Sequence, residues 1–471
     1  MTGSADGTGG AVTAAGVPAG EGVAAPRGEG LAAPGPRTRD VVVVGGGVGG
    51  LVVARELALA GRDVLLVEAS DRLGGEVLRV DVAGLVLDGG AESFATRAGT
   101  VASLLGELGL AADVVEPQPR GAWVHEADGD AFPLPSTGLL GIPGRLDDPG
   151  VVAVLGAAGA GRALRDLELP ADVGADARTL GALVRARLGD AVVDRLVGPV
   201  VTGVHSVHPD HLDLDVVAPG VRAALGREGS LSGAVSALLA LAPAGSAVQG
   251  LRGGNHRLVT ALAAELARLG VEVRTGSPVD ALDAEGVTVS GERVPARAVV
   301  LGVGARAAHA VLGRPAPASG TITLATIVVV DDRLDAAPRG TGVLVAPGAP
   351  GVRAKALTHA TAKWAWLAER AGGRHVLRLS YDSPVVDPST GADELRATAL
   401  ADASALLGVP LDARRVEGTA RVTWDAPLRG PEARAAAPEG VARVGGAVAG
   451  RGLAAVVAQA RATAAELLAR A

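Results

Sequence analysis

The sequence predicts an α/β fold, and three adjacent features between residues 40 and 68 predict it. Residues 40–44 form a short apolar run of the kind that builds a buried parallel strand. The stretch Gly45-Gly46-Gly47-Val48-Gly49-Gly50 follows at once, then an apolar helical segment at 51–60 that ends at Gly61. A second apolar strand, 63–67, terminates on Glu68. Strand, glycines, helix, strand and terminal acid in that order make a Rossmann-type βαβ unit.

Each residue of the unit has a physical task. Gly45 permits the tight turn after the strand, Gly47 lets the backbone approach a pyrophosphate, and Gly50 lets helix and strand pack closely. The free amides of the helix N-terminus then face the phosphates. Glu68 ends the second strand, where a carboxylate can accept from ribose hydroxyls. In a chain with 69 glycines, a glycine pattern alone carries little weight, so the order of elements is what carries the dinucleotide reading. Arg72-Leu73-Gly74-Gly75 comes shortly after. It resembles the R-x-G-G extension of the glutathione-reductase-type FAD fold, found in amine oxidases, phytoene desaturases and protoporphyrinogen oxidases. That resemblance selects FAD over a nicotinamide dinucleotide.

The rest of the chain is read from composition and periodicity. At 471 residues and 48% hydrophobic, it has room for two or three domains with a sizeable core. Lysine occurs only at Lys355 and Lys363, while arginine is abundant, a skew that fits codon bias in a GC-rich genome. A net charge of −7 gives no basic excess for nucleic acid. The absence of cysteine excludes disulfides, thiolate metal sites, iron–sulfur ligation and cysteine nucleophiles. His205, His208 and His211 read as loop residues interrupted by Pro209, and no metal site is expected.

Residues 1–38 are mainly Ala, Gly, Pro, Thr and Ser with few large apolar side chains, which predicts a disordered leader without the marks of a signal peptide. The uncharged stretch 230–251 reads as a buried helix and loop, not a membrane span. Cytoplasmic placement without an integral membrane segment is the expectation. Further strands are predicted at 85–90, 271–274, 286–294 around Ser290-Gly291, 298–302, 320–330, 374–382 and 441–444. Residues 120–135 alternate like a hairpin. Helices are predicted at 98–108, through most of 150–245, and at 253–269, 392–407 and 453–471.

Several of these stretches resemble the porphyrinogen oxidases, especially the branch in Gram-positive bacteria and actinobacteria that acts on coproporphyrinogen III. Asp88-Gly89-Gly90-Ala91-Glu92-Ser93-Phe94 is similar to that family's D/E-x-G-P-x-S-F segment beside the flavin. Pro199-Val200-Val201-Thr202-Gly203-Val204, with His208-Pro209-Asp210, resembles its P-x-x-x-G-V-Y-x-G-D-P region. Leu251-Arg252-Gly253-Gly254 resembles its G-L-x-G-G turn. Ala354-Lys355-Ala356-Leu357-Thr358-His359, with Lys363-Trp364, looks like its K-A-x-T-x-x-x-x-K-W strand and uses both lysines of the chain. The match departs near the C-terminus. Trp424 is followed by Asp425-Ala426-Pro427-Leu428 without the usual His, the segment before residue 441 is short, and Arg451 stands where a small or apolar residue is usual. His205 replaces a tyrosine, and Glu76 a basic or apolar residue.

The resemblance implies an FAD-binding Rossmann-like domain of the glutathione-reductase type, a mixed-sheet substrate domain and a helical lobe. The implied division assigns 39–115, 250–315 and 415–471 to the FAD domain. It assigns 116–135 and 316–414 to the substrate sheet, and 136–249 to the lobe. FAD contacts are implied at Gly45, Gly46, Gly47, Val48, Gly49, Gly50, Glu68, Ala69, Arg72, Gly75, Gly90, Ala91, Glu92, Ser93, Val279, Trp424, Arg451, Gly452 and Leu453. The implied reaction removes six electrons from a porphyrinogen, with oxygen as acceptor and hydrogen peroxide as by-product. Because the flavin carries the hard step, no catalytic acid/base residue is expected. The substrate's carboxylates call for arginines, and Arg97 and Arg120 are the candidates. A transient contact with a haem-pathway chelatase belongs to the same implication. Two other readings stay open: an amine oxidase or carotenoid desaturase on this fold, and a flavin-binding protein without turnover.

Overall fold

The computed structural model describes residues 37–96, 99–126, 128–135, 138–205, 207–241, 247–316, 318–426, 437–450 and 452–470. All but the last two residues of the expected leader therefore lie outside the described residues. The architecture below is that of the unit Thr38–Ala471.

The first strand, β1 (Arg39–Val44), and the helix after it, α1 (Val48–Leu59), lead into β2 (Val64–Val67). β1 and β2 pair in parallel from Val41↔Val64 to Val44↔Val67. Their continuous apolar runs serve two cores at once. Val41, Val43, Val64 and Leu66 face α1 and the C-terminal helix, while Val42, Val44, Leu65 and Val67 face a second core on the other side. Glu272–Arg274 extends this sheet beyond β2, and the strand Glu292–Leu301 extends it beyond β1. The two strands expected at 286–294 and 298–302 divide differently. Glu292–Leu301 is one strand that pairs antiparallel with Gly286–Val289 up to Pro295 and parallel with β1 from Ala296. Pro295 has no N–H to donate, so the change of partner falls where the ladder is already interrupted. Val441–Arg443 returns from the far end of the chain to pair with Val299–Leu301.

A second seven-stranded mixed sheet runs in the order Val416–Asp425, Thr321–Val329, His375–Asp382, Ala356–His359, Gly342–Val345, Trp123–His125, Ala131–Pro133. Strand alternation gives it two distinct faces. Ala325, Ile327, Leu377, Leu379 and Tyr381 pack against the helix Ala392–Leu407. On the opposite face, Val328 and Val376 meet Val82, Leu85 and Leu87 of the hairpin that follows the βαβ unit. Two sequence expectations change here. Val416–Asp425 pairs along its length with Thr321–Val329, so these residues lie in this sheet and not with the dinucleotide sheet as the boundary at 415 had them. The stretch 354–364 is not one strand: it ends at His359, and Lys363 and Trp364 fall on the helical segments Ala360–Lys363 and Ala365–Ala371 and the junction between them.

The helices between Pro149–Leu164 and Leu231–Ala240 enclose their own core, with Leu180, Leu183, Val184, Val192, Val197 and Leu225 at its centre. Arg187 and Asp166 are fully buried in it. Arg187 Nε donates to Asp166 Oδ1 at 2.6 Å, and Asp166 also accepts from the backbone N–H groups of Leu231 and Ser232 at 3.1 and 2.9 Å. A buried ion pair is tolerated when its remaining hydrogen-bonding capacity is met in this way. The stretch 230–251 contains the buried helix that was expected, Leu231–Ala240, and closes in a strand, Val248–Leu251; residues 242–246, where the expected loop falls, lie outside the described residues. No described helix is long and apolar enough to cross a membrane.

Candidate functional site

The glycine turn forms a cradle whose open and closed sides can be told apart. Gly45 has φ +107°, and a Cβ there would lie 2.6 Å from the Gly302 oxygen. A Cβ on Gly50 would lie 2.0 Å from the Gly45 oxygen, so only glycine fits where α1 crosses β1. Val48 and Gly49 are buried, and Gly49 packs against Gly445, where a Cβ would come within 3.0 Å of backbone. Gly47 differs: a Cβ would meet nothing within 4 Å. It is also the N-cap of α1, with no side-chain cap and no acid in the first turn. Open space before an uncapped helix N-terminus is what a pyrophosphate needs.

Glu68 leans over this opening from the end of β2. Its Oε2 accepts from the Gly46 N–H at 2.7 Å, and its Oε1 accepts from the Ser70 N–H and hydroxyl at 2.8 and 2.7 Å. Ala69 between them is exposed. Arg72 Nη1 donates to the Gly75 oxygen at 3.0 Å, and the Gly74 N–H donates to the Gly46 oxygen at 2.8 Å. Gly75 has φ +58°, and a Cβ there would lie 3.3 Å from the Gly47 Cα. The double glycine thus forms the second wall of the cradle. The Ser277 N–H donates to the Glu68 backbone oxygen at 2.9 Å. Val279, two residues on, opens the strand Val279–Asp283 and packs against the core that holds Val42, Val44, Leu65 and Val67.

A second segment continues from that wall. The Ala91 N–H donates to the Glu76 oxygen at 3.2 Å, and a Cβ on Gly90 would lie 1.8 Å from that oxygen. Asp88 holds the segment from behind: its carboxylate accepts from the N–H groups of Asn255 and His256 at 2.8 and 3.0 Å, and stands 3.0 Å from His256 Nδ1. Asn255 Nδ2 donates to the Ala91 oxygen at 3.1 Å. Glu92 then reaches Lys363, at the end of the helical segment Ala360–Lys363, whose Nζ donates to Oε1 at 2.7 Å, and Arg378 of the second sheet, whose Nη2 lies 3.3 Å from Oε2. Burial pushes the Glu92 carboxyl up, but Arg378 and Lys363 outweigh it and hold the group below the usual carboxylate range. Ser93 is half-buried beside it.

Hydrogen bonds and close backbone approaches thus link Gly46, Gly47, Glu68, Arg72 and Gly75 around the cradle, and Gly90, Ala91 and Glu92 continue from Glu76 to Lys363 and Arg378. Gly452 immediately precedes the C-terminal helix Leu453–Arg470, which Leu453 begins and which packs against α1. Trp424 lies on the edge strand of the second sheet opposite Ile322. Arg97 and Arg451 lie outside the described residues. Arg120 is exposed, close enough to His359 to disfavour its protonation, and is not brought to Glu92. Sequence reasoning missed Arg378, Asp88, Asn255 and His256 as side chains of the site. The alternation of His375–Asp382 held the signal for Arg378, because it sets residue 378 on the face opposite Leu377 and Leu379. A cavity of about 390 Å³ opens where the lobe meets the second sheet, lined in part by Glu126, Asp194, Arg195, His208 and Pro347. Arg195 is its arginine, and sequence reasoning did not single it out.

Comparison with known proteins agrees with this geometry. The family described as flavin containing amine oxidoreductase matches residues 48–327. The chain is 30% identical over 423 residues to the coproporphyrinogen III oxidase of Propionibacterium freudenreichii subsp. freudenreichii, covering 80% of this chain and 79% of that protein. It is 33% identical over 403 residues to the coproporphyrinogen III oxidase of Mycobacterium leprae, covering 80% and 85%. Among solved structures, a protein from Exiguobacterium sp. 255-15, provisionally named a protoporphyrinogen oxidase, superposes with a TM-score of 0.78 at 23% identity. That superposition covers 93% of this chain and 100% of the other.

Proposed function

This chain belongs to the flavin containing amine oxidoreductase family, with FAD as its cofactor, and from that premise we propose that it oxidises coproporphyrinogen III, or protoporphyrinogen IX, to the porphyrin in haem biosynthesis. The observation that carries this reading is the length of the match, since coproporphyrinogen III oxidases align with four-fifths of the chain. The cradle supports it: an open, uncapped α1 N-terminus, Glu68 over it, and a glycine-lined path leading to the second sheet suit an extended flavin dinucleotide.

In this reading the amides at Gly47, Val48 and Gly49 hold the pyrophosphate and Glu68 exchanges its bond to Gly46 for the ribose. Gly75, Gly90, Ala91, Glu92 and Ser93 line the path to the isoalloxazine, with Arg72 fixing the Gly75 turn. Val279, Trp424, Gly452 and Leu453, together with Arg451, complete the contacts. Bound FAD supplies hydride acceptance at N5 and reoxidation by oxygen, giving hydrogen peroxide at each of three two-electron steps. The residues orient the substrate and exclude water. Arg97 and Arg120 remain the proposed carboxylate partners, since a guanidinium pairs with a carboxylate through two bonds. Product passes to a chelatase by transient contact.

The test is aerobic incubation of FAD-loaded protein with coproporphyrinogen III and protoporphyrinogen IX in parallel, followed by porphyrin fluorescence. Faster appearance of coproporphyrin is expected. Rates no greater than autoxidation for both substrates, with FAD bound, would overturn the oxidase reading and favour an amine substrate or a flavin-binding role without turnover.

A further inference from the structure

Where the 88–93 segment meets the second sheet, three charges are buried together. Glu92, Lys363 and Arg378 have side chains only 11%, 16% and 14% exposed. Arg378 is held firmly: besides Glu92, its Nη1 donates to the Gly90 oxygen at 2.6 Å. Lys363 Nζ also sits 5.2 Å from the centroid of the Trp364 ring. Among the described residues, Glu92 is the one carboxylate bonded to either cation. Asp88, the other acid of the segment, directs its carboxylate to Asn255 and His256. The cluster therefore sets two positive charges against one negative.

An uncompensated positive charge in a low-dielectric site is costly unless an anion comes to face it. The proposed chemistry creates that anion. Breaking the substrate C–H bond delivers its hydride to flavin N5, so a neutral oxidised flavin becomes a monoanion while the N–H proton leaves to solvent. Oxygen and one proton then remove the same hydride as hydrogen peroxide. We propose that Lys363 and Arg378, held on Glu92, form an electropositive seat beside the flavin segment that favours the anionic reduced cofactor and raises its reduction potential. The seat and the proposed oxidation both depend on bound FAD.

Two substitutions change the seat in opposite senses. Lys363→Met removes a cation, and Glu92→Gln removes the anion while keeping the side chain's shape. Sulfite adds to N5 of oxidised flavin as an anionic adduct, so it reports on the same charge without substrate. With FAD occupancy matched by absorbance, K363M is expected to weaken sulfite binding about tenfold and lower the midpoint potential by about 30 mV, the two-electron equivalent of tenfold. E92Q is expected to shift both quantities by a similar amount in the other direction, and K363R to restore them to within about threefold. A latch that merely joined the segment to the sheet would loosen in both variants and shift them the same way. Shifts of one sign, or none beyond threefold, overturn the proposal. Failure to hold FAD overturns it together with the proposed function. Opposite shifts in a protein that leaves porphyrinogens untouched would support the seat and sink only the oxidase reading.

Discussion

Two glycines in one turn separate folding from ligand binding at the scale of single residues. At Gly50 an added methyl meets backbone, 2.0 Å from the Gly45 oxygen, and backbone cannot move aside without shifting β1 or α1. At Gly47 the methyl enters open space, and φ −68° suits any L-residue. G50A is therefore expected to destabilise the protein by about 3 kcal/mol, as overpacking against an immovable neighbour does. G47A should cost no more than about 1 kcal/mol, the scale of a changed N-cap, while weakening FAD at least about 100-fold by occupying the phosphate position. Thermal melts of the FAD-free proteins and FAD titrations measure the two effects separately. A G47A protein that binds FAD normally would show that the phosphates lie elsewhere.

At the scale of elements, the strands Ala356–His359 and His375–Asp382 carry a buried histidine pair. His359 Nε2 lies 3.1 Å from His375 Nδ1, and His375 Nε2 lies 3.2 Å from Asp335 Oδ1. Burial lowers both imidazoles. For His359 the neighbouring His375 and Arg120 lower it further, to about 3 from 6.5, while Asp335, Asp331 and Asp332 partly oppose the fall at His375. Below 6.5 the unfolded chain binds protons that the folded pair refuses. For His359, stability is thus fully present above that value and is lost as pH falls toward 3, at up to about 1.4 kcal/mol per pH unit, and His375 acts in the same direction. Melting temperature against pH should show this acid limb, and H359L should flatten it relative to the parent; an identical slope would place the titration in other groups. These elements also mark what was legible in the sequence. The βαβ unit was legible because its strands, glycines and acid are contiguous and each obeys a local rule. The edge strand Val416–Asp425 was not, because its pairing partner lies about 90 to 100 residues away and its own pattern of burial is weak. Lys363 was visible as one of two lysines, but its partner Glu92 is 271 residues distant, and only the fold brings them together.

The whole molecule gathers remote parts of its chain at the cradle while leaving one region self-sufficient. The glycine turn, the Glu68 rim, the 88–93 segment, Ser277 and Gly445 meet there, drawn from both halves of the sequence. They are joined largely through backbone hydrogen bonds and the Glu68 carboxylate, and a ligand spanning them would add to their mutual restraint. The helical lobe needs no such ligand, because its core is its own and Asp166 and Arg187 satisfy each other and the surrounding backbone. FAD at about 100 times its dissociation constant stabilises whatever binds it by about 2.7 kcal/mol. Removing FAD should therefore speed hydrogen exchange at residues 45–50, 68–76, 88–93 and 445–456, and leave the amides of Leu180–Leu188 and Leu231–Ala240 nearly unchanged. Mass-spectrometric exchange of FAD-loaded and FAD-free protein gives the comparison directly. Deprotection spread evenly through the lobe would mean that lobe and cradle unfold as one cooperative unit. Silence at 445–456 would mean that the C-terminal turn, where the family pattern is most altered, takes no part in holding the flavin.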